Sequence, residues 1–298
     1  KRAEATEDVR MSAKIVPIAP LLSRVTTLWD RGLPPGFSTG WKTLDPHYTV
    51  APGQLTVVTG WPGSGKSEWL DGLLVNLSRD DWKFAVFSFE NQPVELHATK
   101  LLEKISGQPF GAGPTDRIPK DRLPAMVTDL TQSFGLFSAA SGGTDIDSIL
   151  NAATDWFNAY GSNHCGLVID PWNELEHRRP TNLSETEYVS QTLSVVRQWA
   201  RDSKVHVWIV AHPQKMRRED GKLPIPRPDM ISGSQHWWNK ADCCVTVWRD
   251  MESQSQDVDI YIQKVRFKHI GRQGLVTLTY DRVTGRYYDK WDSLSRVV

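Results

Sequence analysis

The stretch Gly60-Trp61-Pro62-Gly63-Ser64-Gly65-Lys66-Ser67 constrains the fold of this chain more than any other. It fits the phosphate-binding pattern G-x-x-x-x-G-K-[ST]. Leu55-Thr56-Val57-Val58-Thr59 before it is a β-branched run that reads as a buried strand. Residues 68–77 after it carry apolar side chains at helical spacing. The glycines let the backbone curl so that successive N–H groups face phosphate oxygens at a helix N-terminus already partly positive. Lys66 would then reach the β- and γ-phosphates, and the Ser67 hydroxyl would ligate Mg²⁺. Gly60, Trp61, Pro62, Gly63, Ser64 and Gly65, with Glu68 just inside the helix, complete the residues expected around ATP. By accident the pattern would arise in about one chain in a hundred of this length, and the flanking strand and helix make chance rarer still.

Strands alternate with helices along the rest of the chain. A second strand over 83–89 leads to a helix over 93–105, a loop over 107–119, a helix over 122–133 and a short strand over 136–138. Thr144-Asp145-Ile146-Asp147 caps a helix reaching 160. Gly166-Leu167-Val168-Ile169-Asp170 is a buried strand ending in an acid, and a long helix over 184–203 precedes a strand over 205–210. Three more strands fall near 243–248, 258–264 and 275–280. The order predicts an α/β fold with a mainly parallel central sheet, helices on both faces, and antiparallel strands at the C-terminal edge. Residues 1–35 stand apart: charged, then Ile15-Val16-Pro17-Ile18-Ala19-Pro20, then a short helix over 21–29. They read as a linker or arm that docks on another surface, a disordered tail being the plain alternative; residues 36–298 read as the catalytic domain. A chain opening on Lys1 rather than Met reads as a piece with something upstream.

Composition narrows the class. The 35 Lys and Arg balance the 35 Asp and Glu, so nucleic-acid binding has to come from local patches. No apolar run approaches the ~20 residues that cross a bilayer, and no secretory signal pattern opens the chain. Cys165, Cys243 and Cys244 are expected as buried, reduced thiols of a cytoplasmic protein, in a bacterial or phage-infected cell, the mitochondrial matrix being an alternative.

Nucleotide hydrolysis needs a metal ligand, a group that activates water and positive charge on the transition state, and in open α/β sheets these stand at C-terminal strand ends. Asp170 is the candidate second Mg²⁺ ligand, a turn aspartate being the bland reading. Glu90 ends the strand over 83–89 and is placed to take a proton from water, or simply to start a helix. His212 ends Val207-Trp208-Ile209-Val210-Ala211 and is placed to touch a γ-phosphate, or to pack. Lys264 and Arg266 share one face of a strand: either a solvated edge, or a finger reaching a neighbouring subunit's nucleotide. Arg178 and Arg179 form one basic loop. Lys215, Arg217 and Arg218, followed by Lys222 and Arg227, form another, though Glu219 and Asp220 dilute it. Such charge tracks phosphates without reading sequence.

Phe87-Ser88-Phe89-Glu90, Ile169-Asp170, Ala211-His212-Pro213, Ile231-Ser232-Gly233-Ser234-Gln235 and Lys264-Val265-Arg266-Phe267 follow the phosphate loop in order. Over residues 36–298 this set resembles the RecA-like motor domain of DnaB-type replicative hexameric helicases, in the branch of Twinkle and the phage primase-helicases. Trp61 and Pro62 in the loop, and His212 where many bacterial members have glutamine, favour that branch. The resemblance implies a hexameric ring translocating on single-stranded DNA, with ATP sites between subunits and a primase or primase-like domain upstream or in trans. It implies that Glu90 is the catalytic glutamate, His212 the γ-phosphate sensor, and Lys264 and Arg266 the cations given in trans. Residues 229–240 resemble the DNA-contacting segment, with Ser234 and Gln235 on the backbone and Trp237 or Trp238 stacking on bases. Rival readings are another RecA-like ATPase, such as a recombinase or KaiC-like protein, and a nucleotide-switched DNA-binding assembly protein that does not unwind.

Overall fold

The computed structural model describes residues 15–138, 142–161, 164–214, 223–231 and 235–290. The chain divides into two compact units, residues 1–34 and 35–298. In the first, α1 (Leu22–Arg31) is a helix without a buried residue, its apolar Leu22, Val25, Leu28 and Trp29 exposed at helical spacing.

The second unit is built on one nine-stranded sheet. Its elements are β1 (Leu55–Thr59), α2 (Lys66–Leu77), β2 (Trp82–Ser88), α3 (Val94–Ser106), α4 (Leu123–Ser133), β3 (Phe134–Leu136) and α5 (Ile146–Tyr160). There follow β4 (His164–Asp170), α6 (Glu185–Ser203), β5 (Val205–Val210), α7 (His236–Lys240), β6 (Cys243–Trp248), β7 (Asp257–Val265), β8 (Gly274–Tyr280) and β9 (Tyr287–Asp289). The order across the sheet is β3-β2-β4-β5-β1-β6-β7-β8-β9. The strands from β3 to β6 run parallel, and β7, β8 and β9 add antiparallel. This is the expected architecture. Bounds shift by a residue or two: β3 and β4 each start two residues earlier than the sequence suggests, and β9, which the sequence does not suggest, is three residues long and too short to leave a periodic signal.

Alternation along the strands feeds two cores. Val58, Phe84, Val168 and Trp208 face α2, α3 and α4, meeting Trp69, Leu73, Leu101 and Leu130. Leu55, Val57, Leu167, Ile169 and Ile209 face α5, α6 and α7, meeting Ile149, Leu193, Val196 and Trp237. Each such leucine or valine, fully withdrawn from water, contributes about 1.5–3 kcal/mol. Helix starts follow local chemistry: Asp145 accepts from the Ser148 N–H, and Ser184 with Glu187 forms a reciprocal capping box. The turn-rich lead-in closes onto distant strands, Trp41 Nε1–H donating to the Tyr287 carbonyl at 2.9 Å. All three cysteines are buried free thiols, raised by burial. Among the described residues no helix is long and apolar enough to cross a membrane.

Asp242, at the head of β6, is buried and binds Arg197 at 2.7 Å and Arg266 at 2.8 Å, besides the Leu55 N–H. Asp242→Ala is expected to cost about 3 kcal/mol, because it strands a largely buried guanidinium. Urea unfolding measures this, and a loss below about 1 kcal/mol would show the ion pairs to be dispensable.

Candidate nucleotide-binding site

The C-terminal ends of the parallel strands share one sheet edge, and there the phosphate loop joins β1 to α2. Gly65 precedes the helix with φ +94°, a left-handed conformation that a side chain disfavours. A Cβ on Gly60 would run into the Val247 carbonyl oxygen, so β6 presses the turn closed from behind. Lys66 is buried, and its Nζ donates to the Trp61 carbonyl at 3.1 Å. Burial lowers its pKa, while Asp170 and Glu90 pull it back up.

Ser67, in the first turn of α2, hydrogen-bonds Asp170, the last residue of β4, which burial pushes up to about 6 against that hydrogen bond. A hydroxyl beside a buried carboxylate suits Mg²⁺, which also takes phosphate and water oxygens and needs few protein ligands. Among the described residues no cluster of three His, Cys, Asp or Glu could hold a metal by itself.

Glu90 stands just beyond β2 and His212 just beyond β5. Their side chains meet, Nε2 to Oε1, at 3.5 Å, although β4 lies between the two strands. His212 is held below the usual imidazole range by burial first and the Lys66 charge second, against the pull of Glu90. It is therefore neutral near pH 7. Its N–H backbone donates to Asn173 Oδ1 at 3.0 Å, and its ring Nδ1 is buried without a hydrogen bond among the described residues.

These groups line a cleft of about 370 Å³ together with Pro62, Gly63, Glu68, Asn91, Lys100, Arg249, Tyr280 and Tyr287. The last five are absent from the sequence reading. Arg249 follows β6 at this same edge and donates to the Gly63 carbonyl at 3.1 Å. Tyr280 ends β8, which the antiparallel turns bring back parallel to β6. The Glu68 carboxylate binds Lys100 at 3.0 Å and Lys104 at 2.5 Å, so its side chain ties α2 to α3.

Below the loop, Asp71 on α2 and His97 on α3 form a buried pair at 3.0 Å. Burial opposes both charges, yet each partner's charge and hydrogen bond prevail: Asp71 lies below its ordinary 3.8 and His97 above its ordinary 6.5. The His97 contribution to stability is therefore complete below pH 6.5 and fades as pH rises through the elevated folded value; that of Asp71 is present above 3.8 and fades as pH falls through its lowered one. His97→Gln is expected to flatten the decline of urea midpoint above pH 6.5. An unchanged slope would remove the pair from the pH dependence.

Lys264 and Arg266 lie elsewhere. Val265 pairs with Cys243 at the start of β6, the sheet edge opposite the cleft. The six residues of β6 at ~3.3 Å each keep them out of their own site. Lys264 Nζ donates to the Trp238 carbonyl at 2.5 Å, and Arg266 Nη2 to the Asn239 and Ala241 carbonyls at 2.9 and 3.0 Å. Burial foremost lowers the Lys264 pKa.

Of the DNA candidates, Arg178 is exposed but already binds Glu176 at 3.2 Å and Asp145 at 3.3 Å. Arg179 lines a pocket with Trp172, His177, Glu185 and Tyr188. Gln235 is exposed at the start of α7. Lys215, Arg217, Arg218 and Ser234 lie outside the described residues. Trp237 is fully buried edge-on to Trp172, so packing removes it from base stacking. Trp238 is half-buried, with the Arg227 guanidinium 5.5 Å from its ring.

A phosphate loop, an acid at the end of β4 and a polar group at the end of β5, on a largely parallel sheet, define a RecA-like P-loop ATPase fold. Solved structures agree. The ATPase domain of G40P superposes with a TM-score of 0.76 at 20% identity, over 93% of this chain and 99% of that one. A DnaB-like replicative helicase, described with its interactions with primase, gives 0.73 at 20% identity, over 92% and 67%. The RadB recombinase gives 0.55 at 17%, over 85% and 99%. The model of the DnaB-like helicase C-terminal domain matches residues 36–289, and the chain belongs to that family. It is 42% identical over 265 residues to the Twinkle homolog protein, chloroplastic/mitochondrial, of Arabidopsis thaliana, covering 85% of this chain and 36% of that protein.

Proposed function

We propose that this chain is the motor domain of an ATP-driven DNA helicase, which translocates on single-stranded DNA and unwinds duplex in replication as a hexameric ring. The meeting of Glu90 and His212 beside Lys66, Ser67 and Asp170, on separate strands at one edge, carries the reading. Lys66 and the loop N–H groups bind the phosphates, and Ser67 and Asp170 would hold Mg²⁺. That ion, when bound, neutralises charge on the phosphate oxygens. Glu90 takes the proton of the attacking water. The neutral His212 offers a ring N–H to the γ-phosphate and passes its presence to the segment that follows. Tyr280, half-buried at the cleft, gives a flat face for a base, with Arg249 beside it.

Arg266 and Lys264, out of reach of their own cleft, would complete the site of a neighbouring copy, an arrangement that a ring supplies. Helix α1, with its apolar stripe exposed, is the arm that would dock on a neighbour. A primase or primase-like domain is the expected partner, upstream or in trans. ATP hydrolysis with and without single-stranded DNA, followed by directional displacement of a paired strand, tests the function. Stimulation and displacement are expected. Hydrolysis indifferent to DNA, from protein whose solution mass is that of a ring, would favour a nucleotide-switched assembly protein. Strand exchange without unwinding would favour a recombinase.

A further inference from the structure

We infer that Lys100 is a positioning residue for hydrolysis: through Asn91 it fixes the turn that carries Glu90 to the helix that follows the phosphate loop. This rests on the reading of Glu90 as the base. The Glu90 carboxylate is half exposed and meets His212 at 3.5 Å, so its aim depends on the turn beneath it. Side chains close that turn. Ser88 Oγ accepts from the Asn91 N–H at 3.3 Å and from Asn91 Nδ2 at 2.9 Å, and the Phe89 N–H donates to the Asp170 carbonyl at 2.9 Å. Asn91 is buried, and the other polar atom of its side chain, Oδ1, accepts from Lys100 Nζ at 2.8 Å.

The same ammonium binds the Glu68 carboxylate, in the first turn of α2, at 3.0 Å. One cation therefore joins the turn of the base to the helix that begins with Lys66 and Ser67. The sheet does not make this connection directly, because β4 and β5 lie between β2 and β1. The two helices do: Glu68 and Asp71 on α2 meet Lys100, Lys104 and His97 on α3, each set spaced three or four residues apart on one face. Lys104, buried, already joins Glu68 to α3 at 2.5 Å, so helix packing does not require Lys100. Lys100 is 39% exposed and lines the cleft. Its bond to Asn91 serves the turn. A general base has to stay within hydrogen-bond reach of the water it activates, and that water is placed by a nucleotide held on α2.

The test measures steady-state ATP hydrolysis and binding of a fluorescent ATP analogue on the full chain. Lys100→Met keeps the stem and removes the ammonium; Asn91→Ala removes its acceptor and leaves the charge of the cleft unchanged. Each is expected to lower kcat about tenfold, short of the ~10²-fold that a misplacement of 1 Å costs. Affinity for the analogue is expected to stay within about threefold of wild type, since Glu68 keeps Lys104 as its counter-ion. The double variant should lose no more than either single one, and Lys100→Met should change nothing further in a Glu90→Gln background. A loosened fold would instead lower binding and turnover together, in both backgrounds. Should Asn91→Ala fail to fold, Lys100→Met decides alone. Wild-type kcat in Lys100→Met, a kcat unchanged with binding weakened about tenfold, or a further loss in the Glu90→Gln background would overturn the positioning role and leave Glu90 standing as the base. Turnover of Glu90→Gln at the wild-type rate would overturn the base itself, and the role of Lys100 with it.

Discussion

Glu90→Gln is expected to lower ATP turnover by about 10²–10⁴-fold, the range a general base supplies, while nucleotide binding survives. The substitution keeps the shape of the side chain and its contact with His212, and removes the basic oxygen pair. Binding should persist because phosphate is held by the loop N–H groups and Lys66, none of which leans on Glu90 for position. Removing a negative charge from a cleft that takes a polyphosphate also relieves repulsion. His212 should stay neutral, since Glu90 is one of the influences that raise its pKa while burial and Lys66 lower it. Binding of a fluorescent ATP analogue and steady-state phosphate release, measured on one preparation, separate the two effects. Turnover within about threefold of wild type would exclude Glu90 as the base. Loss of binding together with turnover would mean that Glu90 shapes the cleft instead.

How much of this site the sequence discloses depends on whether a residue's position is fixed locally. Lys66 and Ser67 sit in one contiguous pattern whose geometry is inseparable from the turn and helix. Asp170 and His212 are legible because each ends a continuous apolar run, and the ends of parallel strands gather at one edge whatever the strand order. Glu90 is legible for the same reason. Its contact with His212 is not, because that depends on β4 lying between β2 and β5. Tyr280 also ends a strand at the cleft, but two antiparallel reversals put it there, and the sequence shows strands without their directions. Arg249 follows β6 just as His212 follows β5, so the same rule could have found it. Trp237 shows the converse. An aromatic pair in a segment that resembles a DNA contact invites a stacking role, yet burial against Trp172 depends on the approach of α7 to the end of β4, a long-range contact.

Arg266→Ala is expected to reduce hydrolysis about 10³-fold or more, as loss of a finger in trans does, and to recover activity when mixed with Glu90→Gln. The position of Arg266 makes this a strong test: it is at the head of β6, across the sheet from the phosphate loop, and cannot serve its own cleft without unravelling β7. Its Nε binds Asp242 and its Nη2 the carbonyls after α7, so serving a neighbour's cleft would require the guanidinium to leave these partners. The fold should survive the substitution, because Asp242 keeps Arg197 at 2.7 Å and the Leu55 N–H; urea unfolding checks that. In a ring mixed at random from equal parts, a cleft with its own Glu90 meets a neighbour with Arg266 at about one interface in four, so about a quarter of wild-type hydrolysis should return if sites act independently. Each variant alone stays inactive. Two inactive proteins restoring turnover together require groups from two chains at one site. If Arg266→Ala forms rings of normal mass and the mixture stays silent, Arg266 acts within its own subunit through Asp242, and the trans assignment falls.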